Sequence, residues 1–124
     1  MSVRIAGSSE EPLLRHEGEY WTVVYEGTTV RLRSSKGLIY LERLLRHPGR
    51  PFHVLDLAER RPATSPSASA VTVERARKAV TNRIRQTVVR IATVHAALGV
   101  HLGNAVHTGT RCVYTPDRPT RWAE

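Results

Sequence analysis

The chain has 124 residues, with 19 Lys or Arg against 11 Asp or Glu, a formal charge of +8 and a pI near 10.8. This length suits one domain with a modest core and is short for an enzyme with a deep cleft. The positive charge favours an acidic partner, nucleic acid before an anionic membrane surface. A single cysteine, Cys112, excludes an intramolecular disulfide and a cysteine-cluster metal site.

The N-terminal residues lack the apolar run of a signal peptide. No stretch approaches the ~18 consecutive apolar residues that a membrane span needs. We therefore expect a cytoplasmic protein without a membrane partner, associated with the nucleoid if its partner is DNA.

Residues 1–12 mix Gly, Ser and Glu and predict a flexible tail before a folded domain over 13–117. Inside the domain, the run 19–25 (EYWTVVY) alternates aromatic and β-branched residues, and the run 29–33 (TVRLR) alternates again after a Gly-containing turn. Two such runs predict an N-terminal β-hairpin. Its buried face would carry Trp21, Val23, Val30 and Leu32.

Two helices are predicted next. Ser34 or Ser35 can cap a helix of about twelve residues that ends before Pro48-Gly49. The segment 53–60 (HVLDLAER) predicts a second, short helix, and 61–71, with two Pro and three Ser, predicts a flexible loop. The apolar positions of the first helix recur at helical spacing and are Leu38, Leu41, Leu44 and Leu45.

The longest predicted helix runs from Thr72 to Val94, a segment without Gly or Pro. A stripe of roughly 120° would pack on the core. The opposite side carries the side-chain types that contact DNA, Arg for guanine, Asn or Gln for adenine and Lys for phosphate. The core-facing residues would be Val73, Ala76, Val80, Ile84, Thr87, Val88, Ile91 and Val94. The groove-facing residues would be Arg75, Lys78, Asn82, Arg85 and Gln86.

A basic outer face on a helix is equally typical of a solvated surface, so the helix alone does not decide its role. The distribution of charge favours DNA. From Val73 onward nine Lys or Arg oppose three Asp or Glu, net +6, whereas residues 1–72 carry ten against eight, net +2. A positive field concentrated in one part of the chain is typical of a polyanion-binding surface. Arg83 and Arg90 would flank the DNA backbone.

The C-terminal part continues with helical and β-rich segments. Residues 95–106, interrupted by two glycines, predict either a short distorted helix or a broken continuation of the long one. Residues 105–114 place Thr108-Gly109 between two β-rich runs and predict a terminal hairpin. Arg111, next to its tip, would reach phosphate or a minor groove, with a plain surface arginine as the alternative. Residues 118–124 predict a C-terminal tail.

Taken in order, these elements predict an α+β fold of the winged helix-turn-helix type. It would have an N-terminal β-hairpin, three main helices and a C-terminal hairpin that forms the wing. In that plan the third helix enters the major groove and the wing meets the adjacent backbone.

A family resemblance is visible in the same segments. Residues 30–57 (VRLRSSKGLIYLERLLRHPGRPFHVLDL) resemble the start of OmpR/PhoB-type winged-helix DNA-binding domains, and the closing GTRCVY is similar to the wing of that family. Residues 17–49 and 107–117 are more closely similar to an uncharacterised domain at the ends of larger actinobacterial and other bacterial regulators. The resemblance implies a winged-helix fold and binding to duplex DNA.

We therefore expect a sequence-specific or architectural double-stranded DNA-binding protein, a small bacterial transcriptional regulator. The arginines would supply most of the affinity, and Asn82, Arg85 and Gln86 the specificity. The alternative is a protein-interaction module whose basic face binds an acidic partner, such as RNA polymerase or another component of the transcription machinery. A homodimer is also open.

No motif indicates catalysis, a cofactor or a metal. The chain has neither a Gly-rich phosphate loop nor a nucleophile elbow. Its six histidines include no pair at the i, i+4 spacing that favours metal ligation on a helix. We expect a protein that is not an enzyme, with Cys112 as a semi-buried filler rather than a redox sensor.

Overall fold

The computed structural model of this protein describes residues 11–58, 70–118 and 120–123. The tail predicted for 1–12 lies outside the described residues except for its last two. The loop predicted for 61–71 lies outside them up to residue 69. Residues 70 and 71 are described, and they belong to the first turn of a helix rather than to a loop.

The fold is α+β, and its first sheet has three antiparallel strands, β1 (Leu13–Glu17), β2 (Tyr20–Tyr25) and β3 (Thr28–Arg33), in that order. The predicted hairpin is confirmed as β2–β3. Its two-residue turn holds Glu26 and Gly27 at positive φ, 51° and 81°, which matches the twist of a tight hairpin. The sequence does not indicate β1, because only its first two residues are apolar.

Helix α1 (Lys36–Arg46) forms where the leucine spacing predicts it. Ser35 is its N-cap, and the serine hydroxyl accepts a hydrogen bond from the N–H of Leu38 at 3.3 Å. After the C-cap at His47, Gly49 has a φ of +81°, a left-handed conformation that favours glycine. The four predicted leucines of α1 are all buried.

The second sheet is formed by β4 (Phe52–His53), β6 (Arg111–Tyr114) and β5 (Val106–His107), in the order β4-β6-β5. Strands β5 and β6 are the predicted terminal hairpin. The helix predicted for 53–60 is shorter in the described residues, where only α2 (Val54–Leu57) is helical. Its predicted first residue belongs to β4 instead, because that residue pairs with β6 from the far end of the chain.

Helix α3 (Ala70–Val94) is the longest element, with 25 residues. Most of its predicted core stripe is correct. Val94 is the exception, because it is the last residue of α3 and its side chain is 52% exposed. The buried residues of the stripe are Val80, Ile84, Thr87 and Ile91, and Val73, Ala76 and Val88 are half-buried against the core.

Helix α4 (Ala96–Ala105) is a separate element, not a continuation of α3. Buried His95 makes the corner between the two helices. Its Nδ1 accepts the N–H of Leu98 at 3.2 Å, so Nε2 carries the proton and donates to the carbonyl of Tyr25 at 2.8 Å. The described residues therefore contain four helices, one more than the three main helices predicted.

A single apolar core joins these elements. It draws side chains from both sheets and from each of the four helices, and Trp21, Leu44, Val80 and Tyr114 are all 0% exposed. The end of the chain, predicted as a tail, packs on this core as well. Trp122 is 5% exposed, and the neighbouring carbonyl accepts the N–H of Leu14.

Two glycines on α4 test how closely this helix packs on α3. A Cβ added at Gly99 would lie 2.5 Å from the Cβ of Ala92, whereas one added at Gly103 would meet nothing within 4 Å. We expect Gly99→Ala to lower the free energy of unfolding by roughly 1–3 kcal/mol. Gly103→Ala should raise it by up to about 1 kcal/mol, because alanine favours the helix. Urea unfolding measures both, and equal effects would contradict this packing.

Candidate nucleic-acid interface

The side of α3 that faces away from the core is polar and exposed. Burial of the opposite stripe fixes the rotation of the helix, so the predicted groove-facing residues lie together on one accessible surface. The helix carries six Lys or Arg and a single acidic residue, Glu74. We define the outer face of α3 as Arg75, Lys78, Asn82, Arg85 and Gln86.

The helix itself compensates little of the positive charge of this outer face, because its one acid, Glu74, is bound to Arg77 and interacts only more weakly with Lys78. Glu74 is paired with Arg77, whose Nη2 lies 2.6 Å from one carboxylate oxygen and whose Nε lies 2.9 Å from the other. These hydrogen bonds lower the pKa of Glu74 and raise the pKa of Arg77. Within the described part of the chain, Arg75, Lys78 and Arg85 form no ion pair. Their charge is therefore available to an anionic ligand.

On one side of the outer face, α3 meets the start of α1 across a cleft of about 380 Å³, which we call the α1–α3 cleft. Arg83 and Arg90, predicted to flank DNA, line it together with Gln86 and Lys36. Nη2 of Arg90 donates to the carbonyl of Arg33 at 2.8 Å. Lys36 is a candidate that sequence reasoning missed. The only signal for it was a lysine at the first position of a capped helix.

On the other side, α3 approaches the tip of the β5–β6 hairpin. Arg85 and Thr108 line a common cleft of about 360 Å³, together with Gly103 of α4. The predicted wing residue Arg111 is exposed at the start of β6, where it pairs with His53 of β4. Helix α3 and the hairpin therefore border one surface, although α4 separates them in the sequence.

Exposed valines add an apolar component to this surface. Val71 and Val89 are 62% and 63% exposed on α3, and Val100 is 64% exposed on α4. Helical spacing places Val71 and Val89 on the same side as the outer face. Val89 also lines the cleft beside the hairpin. Contacts with phosphate use polar side chains, so phosphate binding alone does not explain the exposure of these valines.

A second polar cluster lies at the turn end of the β2–β3 hairpin, where the C-terminal residues pack. Nε1 of Trp122 donates to the hydroxyl of Tyr114 at 3.2 Å, and that hydroxyl lies 2.6 Å from Nε2 of His101. The ring of Tyr25 stacks on His101 and on Trp122, with centroids 5.2 and 5.9 Å apart. A cleft of about 470 Å³ opens beside Tyr25, His101 and Asp117. The hydrogen bonds and stacking anchor the end of the chain.

Burial favours the neutral forms of His101, Tyr114 and Cys112. Burial lowers the pKa of His101 and raises the pKa of Tyr114, which suits a neutral imidazole that accepts the tyrosine O–H. Burial also raises the pKa of the Cys112 thiol, and a protonated thiol is a poor nucleophile. Across residues 11–58, 70–118 and 120–123, no three His, Cys, Asp or Glu side chains are placed to hold a metal ion.

The chain matches no protein-family model, no curated protein and no solved structure. Among the described helices, none combines the length and the apolar character needed to cross a membrane. The resemblance to OmpR/PhoB-type domains therefore stays a prediction from the sequence. The function proposed below rests on the geometry and charge of α3 and its neighbours.

Protonation of His101 should destabilise the fold. Its pKa is lowered by burial from its usual value near 6.5, so the unfolded chain binds the proton more readily than the native protein. Its contribution to stability is complete above about pH 6.5 and is lost as the pH falls toward the lower native pKa. We expect the free energy of unfolding to fall as the pH drops below about 6.5, and to fall less in His101→Gln.

Urea unfolding at a series of pH values measures this dependence, and NMR titration of the His101 ring reads its pKa directly. A native pKa at or above the usual value, or an identical pH dependence in His101→Gln, would contradict the role of burial.

Proposed function

We propose that this protein binds double-stranded DNA through the outer face of α3, as a small bacterial transcriptional regulator or an architectural DNA-binding protein. The observation that carries the proposal is the exposed positive charge of Arg75, Lys78 and Arg85 on one helix face, where none of the three forms an ion pair with another described residue. Duplex DNA presents a dense row of phosphates, and neutralising them releases counterions and supplies most of the affinity of such proteins.

The dimensions of the outer face suit a major groove. Arg75 and Gln86 lie eleven residues apart, which corresponds to about 16 Å along a helix axis. A helix with its side chains is about 10–12 Å across, so this length of α3 can lie in a major groove, which is about 12 Å wide. Asn82 and Gln86, one turn apart, can each form paired hydrogen bonds with adenine, and Arg85 can do so with guanine. Specificity would therefore come from the middle of α3.

The neighbours of α3 suit contacts with the DNA backbone. Arg83 and Arg90 border the outer face on the α1 side, and the hairpin with Thr108 borders it on the other. A long basic helix with a hairpin beside it supports the proposal of a winged-helix mode of binding, in which Arg111 would lie near the wing tip. Phosphate contacts on both sides would position α3 over the groove.

A second candidate function is the binding of an acidic protein segment, such as one on a component of the transcription machinery. The exposure of Val71 and Val89 beside the outer face favours it. An amphipathic helix with a carboxylate-rich border could cover these valines while its charges meet Arg75 and Arg85. Val89→Ser should weaken capture of such a peptide far more than it weakens duplex binding, because contacts with phosphate do not use a valine side chain.

The double variant Lys78→Ala/Arg85→Ala tests the DNA-binding proposal. We expect weaker duplex binding, because two cations of the outer face are lost. The slope of log K against log salt should become shallower by about two, because on random duplex DNA both side chains neutralise phosphate instead of reading a base. Fluorescence anisotropy with random duplex DNA at several salt concentrations measures both quantities.

The matched control is Arg31→Ala/Arg121→Ala, which removes two exposed arginines outside α3 and lowers the net charge equally. It should keep the salt slope of the wild-type protein. Equal weakening by the two double variants would mean that only net charge matters. Absence of duplex binding by the wild type at low salt would overturn the proposal and leave the acidic protein segment as the partner.

A further inference from the structure

The α1–α3 cleft concentrates cationic side chains from two elements that lie far apart in the sequence. Lys36 comes from the first turn of α1, and Arg83 and Arg90 come from the middle and the last third of α3. Gln86 adds a neutral hydrogen-bond donor. Among the described residues, no carboxylate lines the cleft. Three like charges around one opening repel each other unless an anion binds between them.

Close packing holds the two walls of the cleft in place. A Cβ added at Gly37 would clash with Oγ1 of Thr87 and would lie 2.5 Å from the backbone carbonyl oxygen of Arg83. Only glycine lets the start of α1 approach the backbone of α3 so closely. The position of Lys36 relative to α3 is therefore set by backbone contact rather than by flexible side chains.

Hydrogen bonds also orient the arginines. Nη2 of Arg90 donates to the carbonyl of Arg33, which holds the guanidinium at the cleft and leaves its other N–H groups for a ligand. Nη1 of Arg83 lies 3.5 Å from the hydroxyl of Tyr40, a long contact that guides the side chain without binding it tightly. Side chains restrained in this way lose less conformational entropy when a ligand binds.

We propose that the α1–α3 cleft binds a phosphate group, held by Lys36, Arg83 and Arg90. Guanidinium groups bind phosphate oxygens through paired hydrogen bonds, and lysine adds a point charge. The phosphate is a backbone diester of the duplex bound on α3, so this assignment rests on the proposed function. Because Gln86 belongs both to the cleft and to the outer face, one DNA strand leaving the groove would cross the cleft. The contact would fix the register of α3 in the groove.

The variant Lys36→Glu tests the cleft without endangering the fold. A carboxylate in the first turn of α1 interacts favourably with the helix dipole, so α1 should remain folded, while the reversed charge repels phosphate. The matched control is Arg121→Glu, which changes the net charge of the protein by the same amount. Arg121 lines a different cleft, beside Tyr25 at the turn end of the β2–β3 hairpin. Circular dichroism and urea unfolding would check that both variants fold.

The first measurement titrates inorganic phosphate into ¹⁵N-labelled protein at constant ionic strength. We expect saturable shifts at the amides of Lys36 and Gly37 and at the Nε–H groups of Arg83 and Arg90. Lys36→Glu should abolish these shifts, and Arg121→Glu should retain them. Shifts that are absent from wild type, or that survive in Lys36→Glu, would overturn the phosphate site.

The second measurement repeats the duplex titration with Lys36→Ala. A salt slope shallower by about one supports a backbone phosphate in the cleft. An unchanged slope together with phosphate-induced shifts would overturn the duplex assignment and identify a free phosphate compound as the ligand. Phosphate binding without any duplex binding would refute the proposed function while supporting the cleft. Duplex binding without cleft shifts would refute the cleft alone.

Discussion

The close approach of α1 and α4 to α3 is the constraint on which the rest of the structure depends. Gly37 allows the start of α1 to contact the backbone of α3, and Gly99 allows α4 to contact it at Ala92. In both places a single methyl group would push two helices apart. With both contacts made, one long helix becomes the common support for the core, for the α1–α3 cleft and for the surface beside the hairpin.

Two polar anchors connect this helical support to the sheets. His95 caps α4 with one ring nitrogen and donates to the carbonyl of Tyr25 with the other, so the corner after α3 is tied to the first sheet. Tyr114 receives the indole N–H of Trp122 and contacts His101, which ties the last strand to the end of the chain. Both anchors are largely shielded from water, where an unpaired polar group would be costly.

The proposed interface is a consequence of the same packing. Because Val80, Ile84 and Ile91 are buried, the polar side of α3 must face solvent. The only acid on the helix, Glu74, is matched by Arg77, and the remaining positive charge has no internal partner among the described ion pairs. A helix whose core side is apolar and whose outer side is uncompensated in charge can bind an anion without rearranging the fold.

The sequence by itself determined the elements whose signals are local. Ser35 and the leucine spacing predict α1, the alternating runs predict β2–β3, and helical periodicity separates the buried side of α3 from Arg75 and Arg85. Only the tertiary structure decided strand β1, the break between α3 and α4 at His95, the burial of Trp122 and the cleft that Lys36 and Arg90 line together. Each of these depends on contacts between residues far apart in the chain, and such contacts leave no periodic pattern in the sequence.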